Sequence, residues 1–298
     1  MCTKVASGIA AGCTMVLKPS EITPLTAYIL GKICVDIGLP DGVLNILNGY
    51  GPEIGQKIVE HPKIKAISFT GGTETGRQVA ATAAPLFKKL SLELGGKNAS
   101  IILDDADLEK TIPGVLRASF LNSGQICLCG SRILVHSSIY DSFISKYLEG
   151  LENFEIGPVI SNAHRDKVLS YIELAKSEGG EIIAGGNIID RKGAWIEPTV
   201  ITGLSHESRT ATEEIFGPVV TIHKFDSDTE AISIANSTNY GLAGSVWSKS
   251  RGKSVAEKIE SGMVWVNTWL HRDLRVPFGG VKDSGVGREG GMLSLIHI

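Results

Sequence analysis

Short, dense apolar runs alternate with longer stretches in which apolar residues recur at helical spacing, and glycine or proline stands at many of the junctions. Residues 4–11 predict a short helix ended by Gly12, and residues 14–18 a buried strand stopped by Pro19. Thr23-Pro24 supplies a helix start, because a first turn has unpaired amides and loses nothing to proline; the apolar run that follows stops at Gly38-Leu39-Pro40. The same reading gives strands over 43–47, 64–69 and 89–94, and helices over 52–60 and 73–84. Beyond Gly96 it gives strands over 101–103, 133–135, 181–184, 199–201, 219–225, 243–247 and 263–267. Helices are predicted over 107–121, interrupted by Pro113, and over 139–148, 165–178, 228–236 and 251–260. Strand-helix alternation of this kind predicts an α/β fold whose parallel strands are covered on both faces by helices. It implies two lobes meeting near residues 93–127, with no internal repeat or low-complexity linker.

Composition sharpens this only in places. At 298 residues, with 43% hydrophobic and 20% charged, the chain has material for about two soluble domains. Its 35 glycines are about 12% of the chain against a usual roughly 7%, which fits many tight turns and close backbone approaches to a ligand. A net charge of -3 offers no footprint for nucleic acid or an anionic membrane surface. The five cysteines (Cys2, Cys13, Cys34, Cys127, Cys129) lack metal-ligand or disulfide spacing, so reduced thiols in a cytoplasmic setting, and no metal, are the expectation. The apolar opening runs directly into a charged K-P-S-E, and no apolar stretch reaches the ~18 residues of a membrane span.

Two stretches carry candidate chemistry. Residues 120–132 crowd small and amide residues around Cys127, a setting in which a thiolate can be stabilised and reached; alone, the same cysteine reads better as a small core residue. Residues 92–97, L-E-L-G-G-K, place the carboxylate of Glu93 at the end of an apolar alternating run.

With G-Q-I-C at 124–127, E-E-I-F-G-P at 213–218 and P-F-G-G at 277–280 following in order, this chain resembles the aldehyde dehydrogenase superfamily across nearly its whole length. The resemblance implies a partial Rossmann-type NAD-binding domain over 1–95, a catalytic α/β domain over 96–290, and a tail over 291–298 outside the family pattern. It makes Cys127 the nucleophile and Glu93 the general base. Cys129, which does not match the nucleophile position, is left to packing. F-T-G-G-T-E-T-G at 69–76 resembles the family's dinucleotide loop, putting Gly71, Gly72 and Gly76 beside a pyrophosphate. Lys18 and Glu21 of K-P-S-E fall on the adenosine ribose, where a carboxylate repels a 2′-phosphate and favours NAD over NADP. Gly51 and Gly55 match the adenine pocket, Leu94 counts among the cofactor-binding positions, Glu214 holds the nicotinamide ribose and Phe216 packs on the ring.

The implied chemistry is addition of the Cys127 thiolate to an aldehyde, hydride loss to the nicotinamide, and hydrolysis of the resulting thioester. Residues 267–280 resemble the branch acting on 2-aminomuconic and 2-hydroxymuconic semialdehydes, in which an arginine here pairs with the substrate carboxylate. Arg272 is the candidate, and a surface ion pair with Asp273 or another neighbour is the competing reading. Against the family's length, the expectation is a chain lacking the first strands of the cofactor sheet, an oxyanion-hole asparagine and the closing strand used in homo-oligomer assembly. The alternative function is a non-catalytic paralogue that binds NAD or a full-length partner.

Overall fold

A computed structural model describes residues 1–292. The tail expected over 291–298 lies outside the described residues apart from its first two positions. The chain separates into two compact units. The first takes Met1–Leu94, Arg272–Gly279 and the described residues from Gly285 on; the second takes Gly95–His271 and Gly280–Ser284.

The first unit begins with α1 (Cys2–Ala10), β1 (Met15–Leu17), α2 (Leu25–Asp36) and β2 (Leu44–Ile46). A wide turn over Gly51–Gly55 then leads into α3 (Gln56–Glu60), followed by β3 (Ala66–Thr70), α4 (Thr73–Ala83) and β4 (Lys89–Glu93). β1 and β2 form a parallel pair, Met15 opposite Leu44. The strand expected to be buried over 14–18 is therefore shorter and half-exposed: successive side chains point to opposite faces, and Val16 falls on the open one, 40% exposed. α2 is apolar nearly all round, yet only Ala27 of it is buried.

The second unit contains β5 (Ala99–Ile102), α5 (Leu108–Phe120), β6 (Arg132–His136), α6 (Tyr140–Glu152), α7 (Asn162–Ser177), β7 (Glu181–Ala184), β8 (Thr199–Thr202) and α8 (Arg209–Thr212). It continues through β9 (Val219–Phe225), α9 (Asp228–Asn236), β10 (Tyr240–Gly241), β11 (Ala243–Trp247), α10 (Gly252–Ala256), β12 (Met263–Val266) and β13 (Val281–Lys282). Seven strands make one sheet in the order β12-β11-β5-β6-β9-β8-β7, parallel throughout except for β7 against β8. Here both faces are covered: Ile101 and its neighbour Ile102, and Leu134 and its neighbour Ile133, are all within 1% of full burial. This is why the central strands read as unbroken apolar runs. One core cluster joins Ile101, Leu134, Phe225 and Val246 to α9 through Ala231 and Ile234; another joins Ile201 and Val219 to α7 through Val168 and Ile172.

Pro113 lies inside α5 without ending it. The ring removes only the bond to the Glu109 carbonyl, while Ile112, Val115 and Leu116 stay buried on the helix face that holds it in place. The helix expected over 251–260 shortens to α10 and finishes in tight turns. The last strand among the described residues is β14 (Gly285–Val286), antiparallel to β4 with Gly285 opposite Glu93, in a three-stranded sheet of order β14-β4-β3. The two-residue strands β10, β13 and β14 are too short to leave any alternation in the sequence.

Candidate active site

α5 ends at Phe120 and the chain reverses through Leu121–Gly124, with Asn122 and Ser123 at φ 53 and 55 and Gly124 at φ 71. A Cβ on Gly124 would stand 2.1 Å from the Gly217 carbonyl oxygen, so this turn requires glycine. The reversal delivers Cys127, half-buried, to a cleft lined also by Gly96, Ser119, Ile126, Glu214 and Phe216, all in the second unit. Cys129 is buried, and burial pushes its thiol up to about 12. It therefore stays protonated at neutral pH.

Glu214 is anchored on the cleft wall by the Gly96 amide, which donates to Oε1 at 3.0 Å. Gly95 has no room for a side chain, since a Cβ there would lie 2.4 Å from Glu214 Oε2. Burial raises the Glu214 carboxyl, opposed by the Gly96 amide and the charges of Lys167 and Lys97. Phe216 sits at φ 61, edge-on to His164, whose Nε2 is 2.7 Å from the Phe216 carbonyl oxygen. Lys97, fully buried, donates to Thr210 O at 2.8 Å; burial first, and then the Arg132 charge, pulls its amine down to about 7.

In the first unit, Glu93 ends β4, 4% exposed, and its Oε2 has no hydrogen-bond partner among the described residues. Burial raises its carboxyl to about 7; the Glu289 charge adds to the rise, and Lys4, Arg288 and Arg272 oppose it. Arg272 is exposed, its guanidinium 4.4 Å over the Phe278 ring, whereas Asp273 pairs with Arg275. Lys18 Nζ donates to Pro19 O at 2.7 Å, Gly49 O at 3.1 Å and Glu21 Oε2 at 3.3 Å. Gly55 stands over the Lys18 stem, and Gly51 and Gly72 would meet nothing within 4 Å if given a Cβ. The Gly71 amide donates to Glu93 O at 3.1 Å, and Gly76 packs so closely on Leu94 that a Cβ would lie 2.5 Å from it. Gly72 caps α4, and Thr73 Oγ1, in its first turn, is buried without a hydrogen-bond partner among the described residues.

Cys127, Glu214 and Phe216 thus share one cleft in the second unit. Lys18, Glu21, Gly51, Gly55, Gly71, Gly72, Gly76, Glu93, Leu94 and Arg272 belong to the first. Sequence reasoning missed Thr73, Lys97, Asn98 and the charges of Lys4, Arg288 and Glu289 around Glu93. Thr73 and Lys97 lie inside the motifs at 69–76 and 92–97, and Asn98 directly follows the second.

The aldehyde dehydrogenase family model matches residues 1–298. The chain is 48% identical to a 2-aminomuconic 6-semialdehyde dehydrogenase of Pseudomonas sp, over 98% of this chain and 63% of the relative. It is 45% identical to a 2-hydroxymuconic semialdehyde dehydrogenase of Pseudomonas sp. (strain CF600), over 99% of this chain and 64% of the relative. It therefore spans about 63% of the length of these curated relatives. Betaine aldehyde dehydrogenase from Staphylococcus aureus, solved in complex with NAD+, superposes with TM-score 0.96 at 42% identity, covering 98% of this chain and 61% of that one. A point mutant of the same enzyme, solved with NAD+ and a BME-modified cysteine, matches at TM-score 0.96 and 42% identity over 98% and 63%. With the motifs in order along an α/β chain and the family matched from end to end, this protein belongs to the aldehyde dehydrogenase family.

Proposed function

We propose that this protein oxidises an aldehyde to a carboxylic acid with NAD, through a covalent intermediate on Cys127. The observation that carries the reading is the half-buried Cys127 thiol in a cleft walled by Glu214 and Phe216, beside a second thiol, Cys129, that burial keeps protonated.

The residues present fit the cofactor. Gly51 and Gly72 leave open space where a Cβ would stand, no side chain caps the start of α4, and Thr73 Oγ1 is a buried hydroxyl without a hydrogen-bond partner among the described residues. Lys18 and Glu21 would hold the adenosine ribose, and Glu214 the second ribose. The carboxylate of Glu21 disfavours a 2′-phosphate. When bound, NAD accepts the hydride.

Cys127, as thiolate, adds to the aldehyde carbon, forming a carbon–sulfur bond and a thiohemiacetal oxyanion. Loss of hydride from that carbon leaves a thioester on Cys127. Glu93 then takes a proton from water as the water oxygen attacks the thioester carbon. The carbon–sulfur bond breaks, the carboxylic acid and the Cys127 thiolate are released, and the proton on Glu93 passes to solvent. A carboxyl raised to about 7 is suited to this task, because near neutral pH a substantial fraction is ionised and each carboxylate is a stronger base than an ordinary one.

The relatives named for 2-aminomuconic and 2-hydroxymuconic semialdehydes support a semialdehyde that carries its own carboxylate. Arg272, with its guanidinium face on Phe278 and clear of Asp273's pairing with Arg275, is the residue to meet that carboxylate. The test is NADH formation from 2-aminomuconic or 2-hydroxymuconic semialdehyde, followed by absorbance. Cys127→Ala should abolish it and Cys129→Ala should retain it. Full turnover by Cys127→Ala overturns the nucleophile, and saturable NAD binding with no turnover by the unaltered chain favours a non-catalytic role.

A further inference from the structure

Three consecutive carbonyls around Cys127 are gripped by two buried side chains. Asn98 Nδ2 donates to Cys127 O at 2.8 Å and to Cys129 O at 2.9 Å, while Trp269 Nε1 donates to Leu128 O at 2.9 Å. Asn98 Oδ1 accepts from the Ala243 amide at 3.0 Å, at the first residue of β11. Both donors of the carboxamide and its acceptor are therefore committed to backbone, and they tie the cysteine loop to a central strand of the seven-stranded sheet. Asn98 is 4% and Trp269 5% exposed, so water cannot readily replace these bonds when they are lost.

Gly96 is the space into which this clamp closes. A Cβ on it would lie 2.8 Å from Asn98 Oδ1 and 3.1 Å from Cys127 O. The loop's backbone bonds among the described residues include Gln125 N to Asn122 O, Cys129 N to Ile126 O, Gly130 N to Ala118 O and Ser131 N to Cys129 O. The peptide planes flanking Cys127 fix the direction of its Cα–Cβ bond, and one of those planes is held by Asn98.

We propose that Asn98 is a positioning residue for Cys127: by holding the carbonyls of residues 127 and 129 to the start of β11, its carboxamide sets the direction in which the thiol is presented. The proposal rests on the reading of Cys127 as nucleophile. No other side chain of this size offers two donors and one acceptor in a plane. Aspartate keeps the acceptor but turns a negative charge on two carbonyl oxygens, and serine supplies a single donor.

The experiment is alkylation of the whole chain by iodoacetamide across pH, with the modified cysteine identified by peptide mapping and the unfolding temperature recorded for each variant. In the unaltered protein Cys127 should react faster than Cys2, Cys13 and Cys34; if it does not, the nucleophile reading itself falls, whatever Asn98 does. Asn98→Ala should slow Cys127 alkylation about tenfold and lower kcat about 10²-fold, the scale expected when a reacting group is misplaced by about an ångström. KM for NAD should stay within about twofold, as for a change that acts on the reacting group rather than on cofactor binding. Asn98→Asp should be at least as slow, and Asn98→Ser intermediate. The control is Asn236→Ala, which removes a comparable two-bond backbone clamp, to Lys258 O and from Glu260 N, elsewhere in the same unit. If Asn98→Ala does not fold, Asn98→Ser carries the same comparison. Alkylation of Asn98→Ala or Asn98→Ser at the unaltered rate, or slowing matched by Asn236→Ala, overturns the proposal.

Discussion

The two units treat strands of similar length in opposite ways. In the seven-stranded sheet of the second unit, β5 and β8 are buried at every position. In the first unit β1 and β3 alternate between covered and open faces, as in Ala66 exposed, Ile67 buried and Ser68 exposed. The residues proposed for chemistry follow the same division. Cys127 sits in a loop whose carbonyls are satisfied by Asn98 and Trp269. Glu93 ends a strand with one carboxylate oxygen buried and unpartnered among the described residues. A satisfied network fixes a side chain's direction, whereas an unsatisfied buried charge shifts its proton affinity. A nucleophile benefits from the first and a general base from the second.

The largest effect that bears on this contrast is catalytic. Glu93→Gln should lower steady-state turnover by about 10²–10⁴-fold, the usual contribution of a positioned general base, and remove the rise in rate through pH about 7. A pH–rate profile that keeps its limb near 7 in the glutamine variant would assign that limb to another group. Next is core packing. Leu134→Ala, in the centre of the buried sheet, should cost about 2–5 kcal/mol by denaturant unfolding. Val16→Ala, on the open face of β1, should stay within about 0.5 kcal/mol. Equal costs would erase the distinction between the two kinds of sheet.

A subtler effect concerns stability against pH. The folded Glu93 carboxyl is raised from 4.5 to about 7, so the folded state holds its proton more tightly than the unfolded chain. Stability associated with this group is fully present below about pH 4.5 and lost as pH rises through about 7, amounting to up to about 3 kcal/mol. Glu93→Gln should therefore unfold at a higher temperature than the unaltered protein at pH 8 and at nearly the same temperature near pH 4.5. A variant less stable than the parent at pH 8 would show that Glu93 makes a stabilising ionic contact there.

The sequence singled out Cys127 and Glu93 as candidates because each lies in a short, ordered motif, and it made the α/β alternation legible because most strands are long enough to show a run. Three things escaped it. Asn98 falls just past the L-E-L-G-G-K motif, and its partners at 127, 129 and 243 are distant in sequence. The openness of β1 escaped because an apolar run of three does not reveal whether both faces of its sheet are covered. Thr73 was passed over because a threonine in a helix's first turn ordinarily serves the helix, whereas here its hydroxyl is buried without a partner among the described residues. Pro113 did not hide α5, since a single lost backbone bond is outweighed by the helix's buried face.

The proposed reaction passes through a covalent intermediate at one sulfur. Glu93→Gln protein mixed with NAD and a semialdehyde, quenched in acid and measured by intact mass and peptide mapping, tests this most directly. The account predicts an acyl adduct that accumulates on the peptide containing Cys127 and is absent from Cys127→Ala. An adduct on another cysteine, or product formed with no adduct at any time point, would contradict it.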